Sequence, residues 1–347
     1  MAARLFLRGR LALWAAAWLA LFSTNASAHH ITMRPGFFGH VVVELAVSPW
    51  DGSSLYVAAF GQGVFVTRDG GNQWLPLNDG LTEKSVRGLA FGTAAKESEG
   101  VLYYLATDQG VFRRAPGRRW EPMPGLRERS VRALRFGTEP APVLYAATEA
   151  GVFASADRGR SWEARNRGLA HRDVRALAVL PGRIFAGTFG GVFRSADGGR
   201  SWQPASRGLA DLHVRFLLAE PGAPARLFAA TAFGGVFESG DGGNSWRARN
   251  QGLIDTSVMA LARGGGALYA GTRGGLFRLP PGGDAWQYVR VDRIPLSVPA
   301  VATGREGEVY VSSGGEVFES RDEGKTWILL TPGGPPRTAK QEPTQGR

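Results

Sequence analysis

Apolar residues in this chain come in short runs. Residues 173–206 show the habit: DVRALAVL (173–180), RIFAGTF (183–189), GVFRSAD (191–197) and SWQPAS (201–206) are separated by Gly, Pro or polar breaks. Short runs rich in Val, Phe, Leu and Ala, bounded by turn residues, predict strands. VVVELAV (41–47) shows little polar alternation, as a strand hidden on both faces does.

The four-run pattern recurs along the chain. Trp74, Trp120, Trp162, Trp202, Trp246, Trp286 and Trp327 lie 46, 42, 40, 44, 40 and 41 residues apart. A Phe precedes each by nine residues, or by eight in the second copy, and a Gly precedes each by three. Around most of them stands one octet: TRDGGNQW (67–74), SADRGRSW (155–162), SADGGRSW (195–202), SGDGGNSW (239–246) and SRDEGKTW (320–327). A period of about 40 residues with four strands per unit is the mark of a β-propeller blade. The prediction is an all-β fold, a seven-bladed β-propeller of four-stranded antiparallel blades, closed as one domain over 38–332. Every copy carries its four strands in order, so no strand exchange is needed for closure, although 29–37 could add a strand there.

Composition changes the picture at the ends. Arg4, Arg8 and Arg10, then the apolar run LALWAAAWLALF (11–22), then Ala26-Ser27-Ala28 read as a cleaved signal peptide over 1–28. That predicts an exported, periplasmic or secreted protein with no later transmembrane segment. The chain has no Cys, so it is no lipoprotein, and packing must supply its stability. Residues 333–347 are polar and Pro/Gly-rich and read as a disordered tail. Cleavage would lower the net charge of +11 by three arginines. A basic exported chain points to anionic protein segments, glycans or membrane surfaces, and away from nucleic acid.

The octet, S/T-x-D-x-G-x-S/T-W, resembles the Asp-box, or BNR repeat, of sialidases and sortilin-type receptors. With its spacing, the blade count and the Gly-Leu after most octets (Gly80-Leu81, Gly125-Leu126, Gly168-Leu169, Gly208-Leu209, Gly252-Leu253), the chain looks most like the photosystem II stability/assembly factor family. The residues themselves predict a structural turn between the third and fourth strands. Asp69, Asp157, Asp197, Asp241 and Asp322 would accept backbone N–H groups two or three residues on. The Gly would take positive φ, and Trp74, Trp120, Trp162, Trp202, Trp246, Trp286 and Trp327 would pack between blades. The second and sixth copies have Ala115 and Pro281 in place of the Asp. One carboxylate per octet is a poor calcium site.

The sialidase likeness implies an arginine triad, a Tyr–Glu pair and an acid/base Asp. The chain offers only Arg293-Ile294-Pro295, out of order for that family, and strand tyrosines that packing explains. No catalytic residues are assigned and no cofactor is expected. His29 and His30, exposed at a new amino terminus, are the weak metal candidates.

The face opposite the octets is where the copies differ. Four successive inner strands begin Val-Arg, at Arg87, Arg132, Arg175 and Arg215; Val43, Met259 and Pro299 stand in the other copies. Phe189 and Phe233 fall on neighbouring loops. Arginine forks beside aromatic anchors suit a peptide's carboxylate. The assembly-factor resemblance implies the same, a propeller whose arginine patch binds the C-terminal region of a reaction-centre precursor. The expectation is a non-enzymatic scaffold binding a protein segment, anionic or C-terminal. The alternatives are a glycan-active or glycan-binding propeller, and arginines that merely pair between blades.

Overall fold

A computed structural model describes residues 40–93, 101–137, 142–220, 225–291 and 297–330. The expected signal peptide, the 29–37 segment, His29, His30, Arg293-Ile294-Pro295 and the 333–347 tail lie outside these residues. The described residues form seven antiparallel sheets of four strands, each built from four consecutive strands. Blade four comprises β13 (Val174–Leu180), β14 (Arg183–Thr188), β15 (Gly191–Ser195) and β16 (Gln203–Pro204). The outermost strand is shorter than its run suggests, because Ser201 and Trp202 belong to the preceding turn. No helix of the described residues is long and apolar enough to cross a membrane.

Burial differs by position in the blade. The second and third strands of blade one, β2 (Leu55–Ala59) and β3 (Gly63–Thr67), are buried along their whole length. Neighbouring blades share their cores: Phe185 and Ala205 of blade four pack with Leu217, Phe237 and Trp246 of blade five. Each such Leu or Phe contributes about 1.5–3 kcal/mol of burial. The innermost strands differ. In β1 (Val42–Val47) only Val42 and Leu45 are fully buried, because the strand lines a central cavity of about 670 Å³. The expectation that VVVELAV hides both faces is corrected on this point. Blades one and seven close the ring without exchanging a strand: Val42 and Phe65 pack with Tyr310 and Leu330, and the Trp74 indole donates to the Leu330 carbonyl at 2.9 Å.

The octets are hydrogen-bonded turns. In blade four the Ser195 hydroxyl donates to Asp197 Oδ1 (2.8 Å) and accepts the Gly199 N–H (2.7 Å). Asp197 Oδ1 accepts the Ser201 N–H (2.9 Å), and Oδ2 accepts the Ser201 hydroxyl (2.6 Å). Asp157, Asp241 and Asp322 repeat this set. Asp69 keeps the Thr67 hydroxyl and the Gln73 N–H as donors and lacks the second hydroxyl, because Gln73 stands where the others have Ser or Thr. The principal backbone donor is thus four residues on, not two or three, and the hydroxyl residues that flank the Asp are part of the turn. Ser201's hydroxyl first, then its N–H, hold the Asp197 carboxyl down to about 2, against partial desolvation.

Blades two and six make this turn differently. Arg118 N–H donates to the Ala115 carbonyl (3.0 Å) around Pro116-Gly117, and Gly283 N–H to the Pro280 carbonyl (3.0 Å) around Pro281-Gly282. Gly117 and Gly282 have φ of 69° and 67°. Pro then Gly at positive φ is the chemistry of a type II turn, which needs no carboxylate. In blade six the positive φ falls on Gly282 and not on Gly283, a correction to the expected position.

The tryptophans join blades through the linker of the blade before. The indole N–H groups of Trp120, Trp202, Trp246 and Trp286 donate to the carbonyls of Leu77, Arg165, Ala205 and Arg249. Their backbone N–H groups donate to Asp79, Arg167, Arg207 and Gln251. Between each pair of acceptors lies an Asn or Ser that turns back into its own blade. Asn78, Asn166, Ser206 and Asn250 accept the N–H groups of Val64, Val152, Val192 and Val236. The motif is therefore Asn/Ser-x-Gly-Leu, and its polar residue went unremarked beside the Gly-Leu. Trp162 and Trp327 depart from the pattern. The Trp162 indole N–H is buried without a partner, and that of Trp327 donates within its own octet, to Gly324.

Candidate partner-binding face

The innermost strands of blades one to six, β1, β5 (Val86–Thr93), β9 (Val131–Gly137), β13, β17 (Val214–Glu220) and β21 (Val258–Gly264), begin alike. Each skips one residue in its register with the second strand: Val43, Arg87, Arg132, Arg175, Arg215 and Met259. A bulge leaves its extra residue outside the ladder and re-aims the side chain. Arg87, Arg132, Arg175 and Arg215 thereby all line the central cavity, at its end opposite the octets.

Their pairing is incomplete. Arg87 makes a two-fork bond with Asp108, at 3.0 and 2.8 Å, and its guanidinium lies 4.8 Å from the Phe60 ring centre. Arg132 and Arg175 share one carboxylate, Asp173, at 3.0 and 2.9 Å. Arg132 is not aligned for a hydrogen bond there, and its buried Nε has no partner. Partial burial, then the Arg175 charge, lower the Arg132 pKa. Arg215 is exposed and forms no ion pair among the described residues. Three of the four guanidiniums thus make ion pairs with two carboxylates, with the Glu149 charge also acting on Arg132, and all four line the mouth of the cavity.

An aromatic row runs outward from this mouth. Arg175 lies over Phe189 at 4.3 Å, Phe189 meets His213 at 5.4 Å, and His213 meets Phe233 at 6.2 Å. Phe233 is 70% exposed. Asp211 fixes the row. One oxygen takes the His213 N–H and ring nitrogen, and the other takes the Phe233 and Gly234 N–H groups. Desolvation opposes ionisation of Asp211, yet these bonds hold its pKa well below the ordinary value. His213 and Phe60 belong to this surface and were not singled out in the sequence. The bulge that groups the arginines leaves no residue signature beyond Val-Arg itself.

Two carboxylates line the cavity itself. Burial raises the Glu44 pKa, against the Arg135 charge and the Leu89 N–H that donates to it. Glu220 is held by Arg263 at 2.8 Å. Among the described residues no three metal-ligating side chains come together.

No protein-family model and no curated protein matches the chain. Solved structures do. The extracellular domain of the hybrid two component system BT3049 from B. thetaiotaomicron aligns at 17% identity, covering 85% of this chain and 39% of that one, with a TM-score of 0.65. The WD40 β-propeller domain of Doa1 aligns at 13% identity over 83% and 95%, with a TM-score of 0.64. YCF48 bound to D1 peptide aligns at 16% identity over 80% and 92%, with a TM-score of 0.59. The chain spans about two fifths of the length of the first of these. At such identities the likeness is one of architecture, and by fold this chain is a seven-bladed β-propeller.

Proposed function

We propose that this is an exported, non-enzymatic Asp-box propeller that binds an extended protein segment across the mouth opposite the octets. The exposed and unpaired Arg215, next to the Arg132–Asp173–Arg175 group with its surplus charge, is the observation that carries the reading. A segment's carboxylate, terminal or side-chain, takes the donors at the mouth, and its apolar residues lie along Phe189, His213 and Phe233. The fold relative YCF48, solved with D1 peptide, supports a propeller that binds a peptide. Export rests on the arginine-led apolar leader and its small-residue cleavage site. Glu44 and Glu220 are each engaged by protein groups, which favours binding over hydrolysis.

Synthetic peptides with free or amidated C-termini, titrated by fluorescence anisotropy, test this. Charge-assisted bonds to a carboxylate predict at least about tenfold tighter binding of free-acid peptides, lost in Arg215→Glu. Equal affinities for both termini in the wild type, together with no effect of Arg215→Glu on acidic peptides, would sink the site.

A further inference from the structure

The strand-two tyrosines give a common reference point at the octet end. Tyr104 of blade two donates to the carbonyl of Arg158, and Tyr145 of blade three to that of Gly198, at 3.3 and 3.4 Å. Both acceptors hold the fourth position of the next blade's octet. A Cβ placed on Gly198 would stand 3.5 Å from the Tyr145 hydroxyl. A side chain at the fourth position therefore starts beside the tyrosine of the blade before.

Only blades three and seven put a side chain there within an intact octet. Arg158 and Glu323 adopt φ of 64° and 62°, a region disfavoured for any residue with a Cβ. At the blade six–seven seam the strained residue has a partner. Glu323 lies 2.6 Å from Arg278, which sits opposite Tyr269 in the register. At the blade two–three seam the residue in Arg278's place is Arg113, opposite Tyr104. By position, then, an arginine there takes the place of the glutamate that faces Arg278.

The surroundings do not neutralise this pair. Arg113 lies opposite Tyr104 in the register and the Arg158 carbonyl accepts its hydroxyl, so both side chains start beside that residue. Burial raises the Tyr104 pKa, and the charges of Arg113, Arg158 and Arg160 all act against it. Beside the Tyr104 hydroxyl, the one ion-pair partner of Arg113 among the described residues is Glu121, at 3.7 Å and well exposed. Arg158 and Arg160 form no ion pair among the described residues. Asp157 is consumed by its own turn, through Ser155 and Ser161. A disfavoured backbone conformation that presents a cation beside like charges makes a place where an anion would be held.

We infer that the blade two–three seam binds a phosphate- or sulfate-type oxyanion through Arg113, Arg158 and Arg160, the anion taking the place that the Glu323 carboxylate fills at the blade six–seven seam. Three guanidiniums from separate backbone positions match an oxyanion with acceptors on several sides better than a planar carboxylate, which one fork saturates. The site lies at the octet end and is independent of the peptide surface.

Thermal unfolding of the full mature chain is followed against inorganic sulfate, inorganic phosphate and acetate in separate titrations, at ionic strength fixed with chloride. The wild type should show a saturable rise in Tm with sulfate or phosphate and at least tenfold weaker response to acetate. Arg158→Glu copies the Glu323–Arg278 pair. It should raise Tm in chloride alone and weaken the anion response at least tenfold. Arg160→Ser alters an exposed side chain and should weaken it several-fold, which keeps the test valid if the first variant misfolds. No saturable response in the wild type, an acetate response equal to that of sulfate, or the same response in the variants overturns the assignment. The ratio of sulfate to phosphate affinity tells which of the two anions the site is built for.

Discussion

Blades two and three stand side by side and divide two tasks that blade five performs together. Blade five has a complete octet turn around Asp241, and its Trp246 holds the linker of blade four by two hydrogen bonds. Blade two keeps the tryptophan bonds and has lost the carboxylate turn; Pro116-Gly117 closes it instead. Blade three keeps the carboxylate turn, and its Trp162 indole has no acceptor. The Asp therefore serves the turn inside a blade, and the Trp serves the seam between blades. At blades two to six the seam bonds follow the linker one blade earlier. Asn/Ser-x-Gly-Leu precedes blades two, four, five and six, whereas Pro124-Gly125-Leu126 precedes blade three.

The sharpest way to break this division is at the linker glycine. A Cβ on Gly208 would meet the Trp246 carbonyl oxygen at 2.1 Å, at a φ of 90°. Backbone cannot yield as a side-chain tip can, so Gly208→Ala should cost about 3 kcal/mol or more. The same change at Gly125 meets only a ring carbon of Trp162, at 3.2 Å, and at a φ of 85°. It should cost about 1–2 kcal/mol, mainly from the backbone conformation. Urea midpoints of the two variants measure the contrast; equal losses would mean that the linker motif does not set the seam.

A second contrast isolates the indole bond. Trp246→Phe removes a donor from the buried Ala205 carbonyl, reached at 2.7 Å, and should cost about 1–3 kcal/mol beyond the shared loss of ring size. Trp162→Phe removes a buried N–H that has no partner, so this penalty is absent and relief from desolvation partly offsets the smaller ring. The measured difference between the two variants should approach that hydrogen-bond cost. If both lose the same stability, the seam bonds contribute nothing.

These contrasts also show what the sequence makes legible. The spacing of seven tryptophans dictates blade number and strand order, because each repeat must bury the same Phe and Trp against its neighbour. The octet Asp was legible as a turn residue from its type, but its exact donors were not. Ser195 and Ser201 act at both ends of the turn, and this becomes evident only when the chain has folded back on itself. Pro281 looked like a loss at the octet; a type II turn makes it a replacement. The Val-Arg arc was legible as a pattern, yet the bulge that turns Arg87, Arg132, Arg175 and Arg215 into one cavity depends on register, which single residues do not record. Arg158 was invisible as a site because its meaning lies in Arg113, 45 positions away, and in the comparison with Arg278 and Glu323.

The smallest expected effect separates the turn from the seam by pH. The Asp197 carboxyl is held down to about 2 from the usual aspartate value of 3.8, by Ser201's hydroxyl first. A depressed carboxylate contributes stability that is fully present above its unfolded pKa and is lost as pH falls through its folded pKa. Wild type should therefore lose this contribution between about pH 4 and pH 2. Asp197→Ala removes bonds to an exposed carboxylate, weakened by solvent, and should cost about 1 kcal/mol at neutral pH. Its deficit relative to wild type should shrink across the same acid window, because protonated Asp197 no longer favours the turn. Trp246→Phe, which breaks a seam bond with no titrating group, should show a deficit that does not change with pH. A Trp246→Phe deficit that closed in acid alongside that of Asp197→Ala would show that turn and seam are coupled, and would undo the division seen between blades two and three.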